Sequence, residues 1–322
     1  MMTNNELAKP WLEFEEEWGG RMALTPPVSN MLQQFAHIGE LLVSKYDLPA
    51  PDSSVETEDT TTDKGTKVRI YTPVDYNGDR PVCMYYHGGG WAMGDINADD
   101  GFSRAISKAG NIVVISVEYG LAPQNAHPGL MNECYEALKW ALNNSQRLKT
   151  AGSRFITSGV SAGGHIAFGT ALRAIDEGLG DQVVGILSIM PPTVHPDAVP
   201  DEMKARYTAM EEHDQNTLNT AGAMRAFWDA FGASPTDHYA SPLLHPRTKD
   251  LKRVYMVAAS HDTLRDDALL MKEKLDEAGV SNRFDMFEGY PHFFMGWPSS
   301  KLDQPRKEFF EKMANGLDFI LS

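Results

Sequence analysis

Short apolar runs alternate with longer segments of helical period along most of the chain, and this pattern restricts the possible folds more than any other feature. The short runs are rich in valine, isoleucine and tyrosine, which favour strands. They cover residues 67–71, 82–86, 112–117, 154–157, 184–190, 253–258 and 283–287. Strands of a parallel sheet are buried on both faces and joined by helices. The alternation therefore predicts an α/β fold whose mostly parallel sheet is covered on both faces.

Three segments between and after these runs carry apolar stripes of helical spacing. The stripes are Leu130, Cys134, Leu138 and Ala141; Leu264, Ala268, Met271, Leu275 and Ala278; and Phe309, Met313, Leu317 and Ile320. Such stripes are typical of helices that pack on a sheet. With 322 residues, of which 42% are hydrophobic, the chain can bury the core of one large α/β domain.

Two regions depart from the alternation. Residues 1–50 and 191–245 place tryptophan, phenylalanine and methionine at helix-like spacing but contain no strand pattern. We expect them to form one helical cap over the sheet, with the core made by residues 51–190 and 246–322. The alternative is that the two regions are separate additions to the core and do not form a common cap. The polar stretch 48–66, which precedes the first predicted strand, indicates a linker.

The chain is acidic, with a formal net charge of -15. It contains no cluster of lysine and arginine that would bind phosphates, so we expect neither nucleic acid nor an anionic membrane as a partner. No apolar run approaches the roughly 20 residues of a membrane span, and the N-terminus lacks the apolar core of a secretory signal. The two cysteines, Cys83 and Cys134, have no CxxC spacing, which favours a reducing compartment and a cytoplasmic location.

A serine lies at the centre of the sequence Gly-Val-Ser-Ala-Gly, residues 159–163, between a predicted strand and a predicted helix. On such a turn the backbone of the serine is strained, and glycines two residues away on either side allow the strand and helix to approach. Ser161 is therefore a candidate nucleophile. The GxSxG pattern is weak by itself, and the strand before it and the helix after it supply the context that it requires.

A serine nucleophile needs a base, and the base needs an acid that orients it. In this architecture the acid and then the base follow the serine along the chain. Asp262 follows a predicted strand, and His292 is the one histidine beyond it. Ser161, Asp262 and His292 are thus the predicted catalytic triad. Asp266 and Asp267 are rival acids, but they fall inside the next predicted helix.

Three consecutive glycines follow His87 directly after the second predicted strand. Acyl transfer places a negative charge on the former carbonyl oxygen, and unobstructed backbone N–H groups stabilise that charge. We expect two of Gly88, Gly89 and Gly90, together with the N–H of Ala162, to form this oxyanion hole, and His87 to brace the loop. A phosphate-binding loop is the alternative, but the GxGxxG and GxxxxGK[ST] spacings are absent from the sequence.

Four spaced segments carry a resemblance to a known family. They are "HGGGWAMGD", "VEYGLAPQNAHPG", "GVSAGGHIA" and "DTLRDDALLMKEKLDEAG" followed by "PHFFMG". Together they resemble the hormone-sensitive-lipase-like (bacterial family IV) branch of the α/β-hydrolase superfamily, over about residues 65–321. The resemblance implies an eight-stranded, mostly parallel sheet and a helical cap built from the N-terminal segment and an insertion after the sixth strand. It also implies carboxylesterase activity without a cofactor, and it gives Ser161, Asp262, His292 and the oxyanion residues their family roles. The sequence contains no HExxH or CxxC spacing, so we expect no metal.

The family pattern is not kept throughout, since the usual DYRLAPE reads EYGLAPQ at residues 118–124 and the usual DPLRD reads DTLRD at residues 262–266. Val160 stands where the family has an acid, and Gly120 and Gln124 replace an arginine and an acid that would form an ion pair. These changes leave the predicted triad intact. They remove the family's ion pair from the loop around residue 120, so we expect the geometry of this loop to differ from the family pattern. The GVSAG sequence resembles the branch of secondary metabolism that includes versiconal hemiacetal acetate esterases.

The resemblance implies hydrolysis of small to medium, largely apolar carboxylic esters through an acyl-enzyme. Two other kinds of function stay open. The same triad also serves lactone, formamide or thioester cleavage and acyl transfer or cyclisation, and the same fold also serves non-catalytic receptors of small ligands. Dimers are common in the family, so a homodimer is a further expectation, with Phe309 and Phe310 of the last helix as a candidate interface; Phe310 as a core residue is the alternative.

Overall fold

The computed structural model of the protein describes residues 6–216 and 218–322. Within these residues, eight strands form one sheet. They are β1 (Val55–Thr61), β2 (Lys67–Pro73), β3 (Val82–Tyr86), β4 (Val114–Glu118), β5 (Phe155–Val160), β6 (Val183–Ile189), β7 (Arg253–Ala259) and β8 (Ser281–Phe287). Their order is β1-β2-β4-β3-β5-β6-β7-β8; the pairs β1–β2 and β2–β4 are antiparallel and the other pairs are parallel. The predicted α/β fold is confirmed.

Helices flank this sheet on both faces and also form the two regions outside it. They are α1 (Lys9–Trp18), α2 (Val28–Lys45), α3 (Asp100–Gly110), α4 (Gly129–Asn143), α5 (Ser145–Leu148), α6 (Ala162–Asp176), α7 (Asp201–Lys204), α8 (Ala209–Glu212), α9 (Ala221–Phe231), α10 (Arg265–Glu277) and α11 (Asp303–Leu321). Helices α3 and α11 pack on one face, whereas α4, α6 and α10 pack on the other. Each face thus has its own apolar layer, as expected for a sheet of this class.

The predicted helical stripes lie in these layers, with one exception. The members of the first and third stripes are buried on α4 and α11. In the second stripe, Ala278 is exposed, because α10 ends at Glu277 and Gly279 turns the chain with a φ of +69°. The prediction that Ala278 belongs to the core is therefore wrong.

The edge strand β1 lies within the stretch that was predicted to be a linker. Its sequence is VETEDTT, and of its residues only Val55 is buried. An edge strand that faces solvent on both sides carries no alternation of apolar and polar residues, so the pattern used to find the other strands was absent. Its charged side chains also protect the free edge from pairing with another chain.

The two regions outside the sheet meet each other, but only in part. Leu24 N–H donates to the Leu218 carbonyl at 3.0 Å, Thr220 Oγ1 donates to the Leu24 carbonyl at 2.9 Å, and α2 packs against α9. Helix α1 instead packs beside the segment that follows β8, where the Phe14 ring lies 5.4 Å from that of Trp297. Residues 1–5 and Thr217, which belong to the predicted cap, lie outside the described residues.

No helix in the described part of the chain combines the length and apolarity of a membrane span. Both cysteines are free and buried.

Candidate active site

Ser161 occupies the turn between β5 and α6. Its backbone has φ 55° and ψ -123°, a conformation that costs on the order of 1–3 kcal/mol for a residue with a side chain. The close approach of strand and helix holds it there, since a Cβ at Gly163 would overlap the carbonyl oxygen of Tyr86. Ser161 N–H also donates to the Ile189 carbonyl of β6 at 2.7 Å. The glycines of the GxSxG sequence therefore provide the space that this turn needs.

A histidine and a carboxylate meet beyond the ends of β7 and β8. His292 Nδ1 lies 2.6 Å from Asp262 Oδ2, and Asp262 Oδ1 accepts the N–H of Leu264 at 3.0 Å. Both side chains are buried. The short Nδ1–Oδ2 contact places the proton of a neutral ring on Nδ1, so Nε2 is left with the lone pair of a general base.

The histidine loop reaches the serine turn through β6. Phe293 N–H contacts Met190 Sδ at 3.3 Å, and Met190 directly follows Ile189, whose carbonyl accepts the Ser161 N–H. Between the described residues, no hydrogen bond joins Ser161 Oγ to the His292 ring. In unliganded sites of this type the contact between nucleophile and base is often long and shortens only when substrate binds.

The glycine loop lies against the serine turn, and two of its glycines present free N–H groups. A Cβ at Gly88 would lie 3.7 Å from Ser161 Cβ. Gly89 and Gly90 have φ of +111° and +57°, which glycine adopts without strain. Their N–H groups and that of Ala162 have no hydrogen-bond acceptor among residues 6–216 and 218–322.

Gly88, the third predicted glycine donor, is engaged elsewhere. Its N–H donates to Asp99 Oδ2 at 3.0 Å, which directs it away from a bound oxyanion. Of the three glycines, Gly89 and Gly90 are therefore the two that stay candidate donors, and their role stays a prediction. Nothing in the spacing of Asp99, 11 residues after Gly88, marked it as a partner of the loop.

The rival acids hold other parts of the chain. Asp266 Oδ2 accepts the N–H groups of Thr208 and Ala209, both at 2.7 Å. Asp267 Oδ1 accepts the N–H of Thr193 at 2.7 Å, and burial raises the pKa of Asp267 to about 7. Both carboxylates thus anchor the 191–245 insertion to the start of α10.

The other buried histidines have structural partners. Trp91 Nε1–H donates to His165 Nδ1 at 3.1 Å, and burial lowers the pKa of His165 to about 3. His87 Nδ1 lies 2.8 Å from its neighbouring carbonyl at Gly88, within the glycine loop. His127 lines a cavity of about 500 Å³ that shares no lining residue with the Ser161 turn. The described residues contain no cluster of three or more histidine, cysteine or acidic side chains that could hold a metal ion.

The loop at residue 120 is closed by an amide side chain. A Cβ at Gly120 would collide with the Asn125 side-chain amide, and a Cβ at Gly129 would do so as well. Gly120 N–H donates to Glu133 Oε2 at 2.6 Å. The Asn125 side chain therefore fills the space beside Gly120 and Gly129, where a larger residue would not fit. Val160, another departure from the family pattern, is fully buried beside Gly88.

The strand order, the serine on a strained turn after β5 and the histidine–carboxylate pair beyond β7 and β8 define the α/β-hydrolase class. A family model described as "alpha/beta hydrolase fold" matches residues 83–296. The chain belongs to the α/β-hydrolase family, as the resemblance predicted.

Individual relatives are similar over most of this chain. Versiconal hemiacetal acetate esterase of Aspergillus parasiticus is 40% identical over 314 residues, which cover 97% of this chain and 98% of that protein. A protein of Aspergillus terreus named FAD-linked oxidoreductase pytB is 44% identical over 87% of this chain, which spans only 34% of that relative's length. Among solved structures, vibralactone cyclase is similar with a TM-score of 0.85 and 26% identity, covering 98% of this chain and 95% of that one. The predicted likeness to versiconal hemiacetal acetate esterases is confirmed.

Proposed function

We propose that the protein is a serine carboxylesterase that hydrolyses small to medium, largely apolar carboxylic esters through an acyl-enzyme. The observation that carries the proposal is the 2.6 Å contact of His292 Nδ1 with Asp262 Oδ2, on loops that adjoin the strained turn of Ser161. Similarity along nearly the whole chain to an esterase of Aspergillus parasiticus supports it.

The proposed reaction has two steps. Ser161 Oγ attacks the ester carbonyl carbon while His292 Nε2 takes the hydroxyl proton, and Asp262 stabilises the imidazolium ion that forms. The ring then gives this proton to the leaving alcohol oxygen, and the acyl group stays on Ser161. In the second step His292 takes a proton from water, which attacks the acyl carbon and releases the carboxylic acid.

The oxyanion of each tetrahedral intermediate would be stabilised by the N–H groups of Gly89, Gly90 and Ala162. These donors are fixed before substrate binds, so they need no reorganisation as the negative charge develops. Loss of one such donor typically lowers kcat by about 10²–10³.

The preference for apolar esters is inferred from the insertion. The ring of Phe227 on α9 lies so close to Gly90 that a Cβ there would collide with it, and Met224 and Trp228 of the same helix are buried. Aromatic and methionine side chains supply apolar contact with little directional demand. We therefore propose that residues 191–245, with residues 1–50, cap the site and contact the acyl or alcohol group.

A panel of p-nitrophenyl esters of increasing acyl length, with the Ser161→Ala variant as control, tests the proposal. We expect hydrolysis by the native protein, at least a 10³-fold lower kcat in the variant, and labelling of Ser161 alone by a fluorophosphonate probe. Full turnover in the variant would exclude Ser161 as nucleophile. Absence of both turnover and labelling in the native protein would favour a non-catalytic receptor.

A second candidate is intramolecular acyl transfer or cyclisation on the same triad. The similarity to vibralactone cyclase, with 26% identity and a TM-score of 0.85, supports this second reaction. In that reaction a hydroxyl group, in place of water, would attack the acyl carbon held on Ser161. Mass spectrometry of products from an ester that carries a remote hydroxyl group separates the two, because a lactone lacks the added water of a hydroxy acid.

Two further predictions stay open. The Phe310 ring packs 5.2 Å from Phe309 and 5.7 Å from Phe102, which favours its alternative role in the core over a dimer interface. Light scattering of the purified protein tests the homodimer. The cytoplasmic location stays a prediction from the sequence.

A further inference from the structure

Three consecutive carbonyl oxygens of the glycine loop, those of His87, Gly88 and Gly89, are each held by a donor outside the proposed oxyanion site. Tyr119 Oη–H donates to the His87 carbonyl at 2.8 Å. His87 Nδ1–H donates to the Gly88 carbonyl at 2.8 Å. The Gly89 carbonyl accepts the N–H groups of Ala92 at 3.1 Å and Met93 at 2.9 Å.

The peptide between His87 and Gly88 is held on both sides. Tyr119 binds its carbonyl oxygen, and Asp99 Oδ2 accepts its N–H at 3.0 Å. A second donor, Tyr85 Oη–H, reaches the same oxygen of Asp99 at 3.1 Å. Because the peptide is planar, two partners on opposite sides fix its rotation about the chain axis.

We infer that Asp99 and Tyr119 form a clamp on this peptide and thereby aim the N–H groups of Gly89 and Gly90 at the substrate oxyanion. The inference rests on the proposed hydrolysis and makes Asp99 a positioning residue for it. In a trans peptide the N–H and C=O bonds point in opposite directions. The N–H of Gly89 therefore points away from the His87 ring, and that of Gly90 points away from Ala92 and Met93.

The chemistry of Asp99 suits this role. A carboxylate oxygen accepts two donors at once, and hydrogen bonds to a charged acceptor are about twice as strong as neutral ones. Asp99 is 5% exposed and directly precedes α3, where its own carbonyl accepts the N–H of Ser103 at 3.1 Å. The helix thus fixes the backbone of Asp99, and Tyr85 of β3 holds its carboxylate from the side of the sheet.

The Asp99 carboxylate also connects the glycine loop directly to the start of α3. Residues 91–98 join the loop to α3, and the Asp99–Gly88 bond closes this segment into a ring. Without this bond, the Gly88 N–H would lose its acceptor, and the contact of Tyr119 with the His87 carbonyl would be the remaining hydrogen bond on that peptide.

The clamp is tested with Asp99→Asn, which keeps the shape and removes the charge, and with Tyr119→Phe, which frees the carbonyl. We expect kcat for p-nitrophenyl acetate to fall about tenfold or more in each, with KM within about twofold, because a misaimed donor weakens the transition state. The inhibition constant of a trifluoromethyl ketone, whose adduct oxygen occupies the oxyanion position, should rise by a similar factor.

Asp95→Asn is the matched control. Asp95 lies four residues earlier, and its Oδ1 accepts the N–H groups of Asn97 and Ala98 in the turn before α3. We expect its kcat, KM and inhibition constant to equal those of the native protein within about twofold.

Hydrogen exchange at Gly88 N–H provides a readout that does not depend on activity. The exchange should be faster in Asp99→Asn than in the native protein and Asp95→Asn, because the acceptor is weakened. Unchanged exchange with unchanged kcat in Asp99→Asn would overturn the clamp, even if that variant were less stable. If the native protein turned over no ester, the proposed function would be wrong, and exchange in the same samples would still decide the clamp.

Discussion

At residue 163, two positions after Ser161, the carbonyl oxygen of Tyr86 leaves room for glycine alone. The Tyr86 carbonyl lies where the Cβ of any other residue at Gly163 would be. The Tyr86 carbonyl and the backbone of Gly163 are both buried in the core. The overlap could therefore be relieved only by a shift of β3 or α6.

We expect Gly163→Ala to lower the free energy of unfolding by about 3 kcal/mol or more, through this overlap. Gly101→Ala on α3 is the control, since a Cβ there meets nothing within 4 Å and alanine favours the helix by about 1 kcal/mol. Urea unfolding of the three proteins measures both effects. Equal stability of Gly163→Ala and the native protein would mean that the turn tolerates a side chain.

The acid assignment is tested by exchanging carboxylates for amides at two positions. Asp262→Asn should lower kcat by about 10³–10⁴, because an amide favours the wrong tautomer of His292. Asp266→Asn should leave kcat within about tenfold and lower stability instead, since Asp266 holds Thr208, Ala209 and Arg265. Steady-state kinetics with thermal melts separate the two. The reverse outcome would make Asp266 the acid.

At the scale of elements, the start of α10 connects the insertion to the core. Arg265 donates through Nε to Asp266 Oδ1 at 2.7 Å and through Nη1 to His213 Nε2 at 2.8 Å. His213 belongs to the insertion, and its ring also packs 5.0 Å from that of His261, next to Asp262. A bond from Arg265 to His213 requires a neutral imidazole.

This contact predicts that stability falls at acid pH. Burial, followed by the charge of Arg265, lowers the pKa of His213 to about 4, whereas an unfolded histidine has a pKa near 6.5. The unfolded chain therefore binds the proton more readily between these values, and stability contributed by His213 is lost as the pH falls from about 6.5 to 4. At pH 5 the loss is on the order of 1–2 kcal/mol.

Urea unfolding at pH 7 and pH 5 measures the loss, with His213→Gln as the variant that cannot titrate. We expect the variant to show a smaller difference between the two pH values than the native protein. The nearby Glu212, His261 and Asp262 remain in both proteins, so their contributions cancel in the comparison. An identical difference in both would contradict the prediction.

The strands that could be predicted from the sequence are those whose burial requires a run of apolar residues. The central strands β3 to β7 are buried almost throughout and contain apolar runs, whereas the edge strand β1 is exposed and was predicted to be a polar linker. The chain order placed His292 beside Asp262 because both follow parallel strands that end at the same edge. Asp99 and Asn125 were missed, because their roles depend on tertiary contacts that no local spacing records.

At the scale of the whole molecule, the insertion contacts the glycine loop of the candidate site. Helix α9 brings Phe227 onto Gly90 and Phe231 onto Trp91, whose ring centroid lies 4.6 Å from that of Phe231. The glycine loop is thus held between the sheet and the insertion. The packing of the glycine loop therefore depends on residues more than 130 positions later in the chain.

The last prediction concerns Phe227, whose ring lies beside Gly90, a proposed oxyanion donor. We therefore expect this ring to contact the acyl group of a bound ester. Phe227→Leu should raise kcat/KM for p-nitrophenyl octanoate relative to the acetate by about 10-fold, because a smaller side chain leaves more room for a long acyl chain. Phe231→Leu on the same helix is the matched control. Its ring faces Trp91, so it should lower stability without changing this ratio. If both variants changed the ratio equally, the effect would come from loosening of the insertion and not from Phe227 itself.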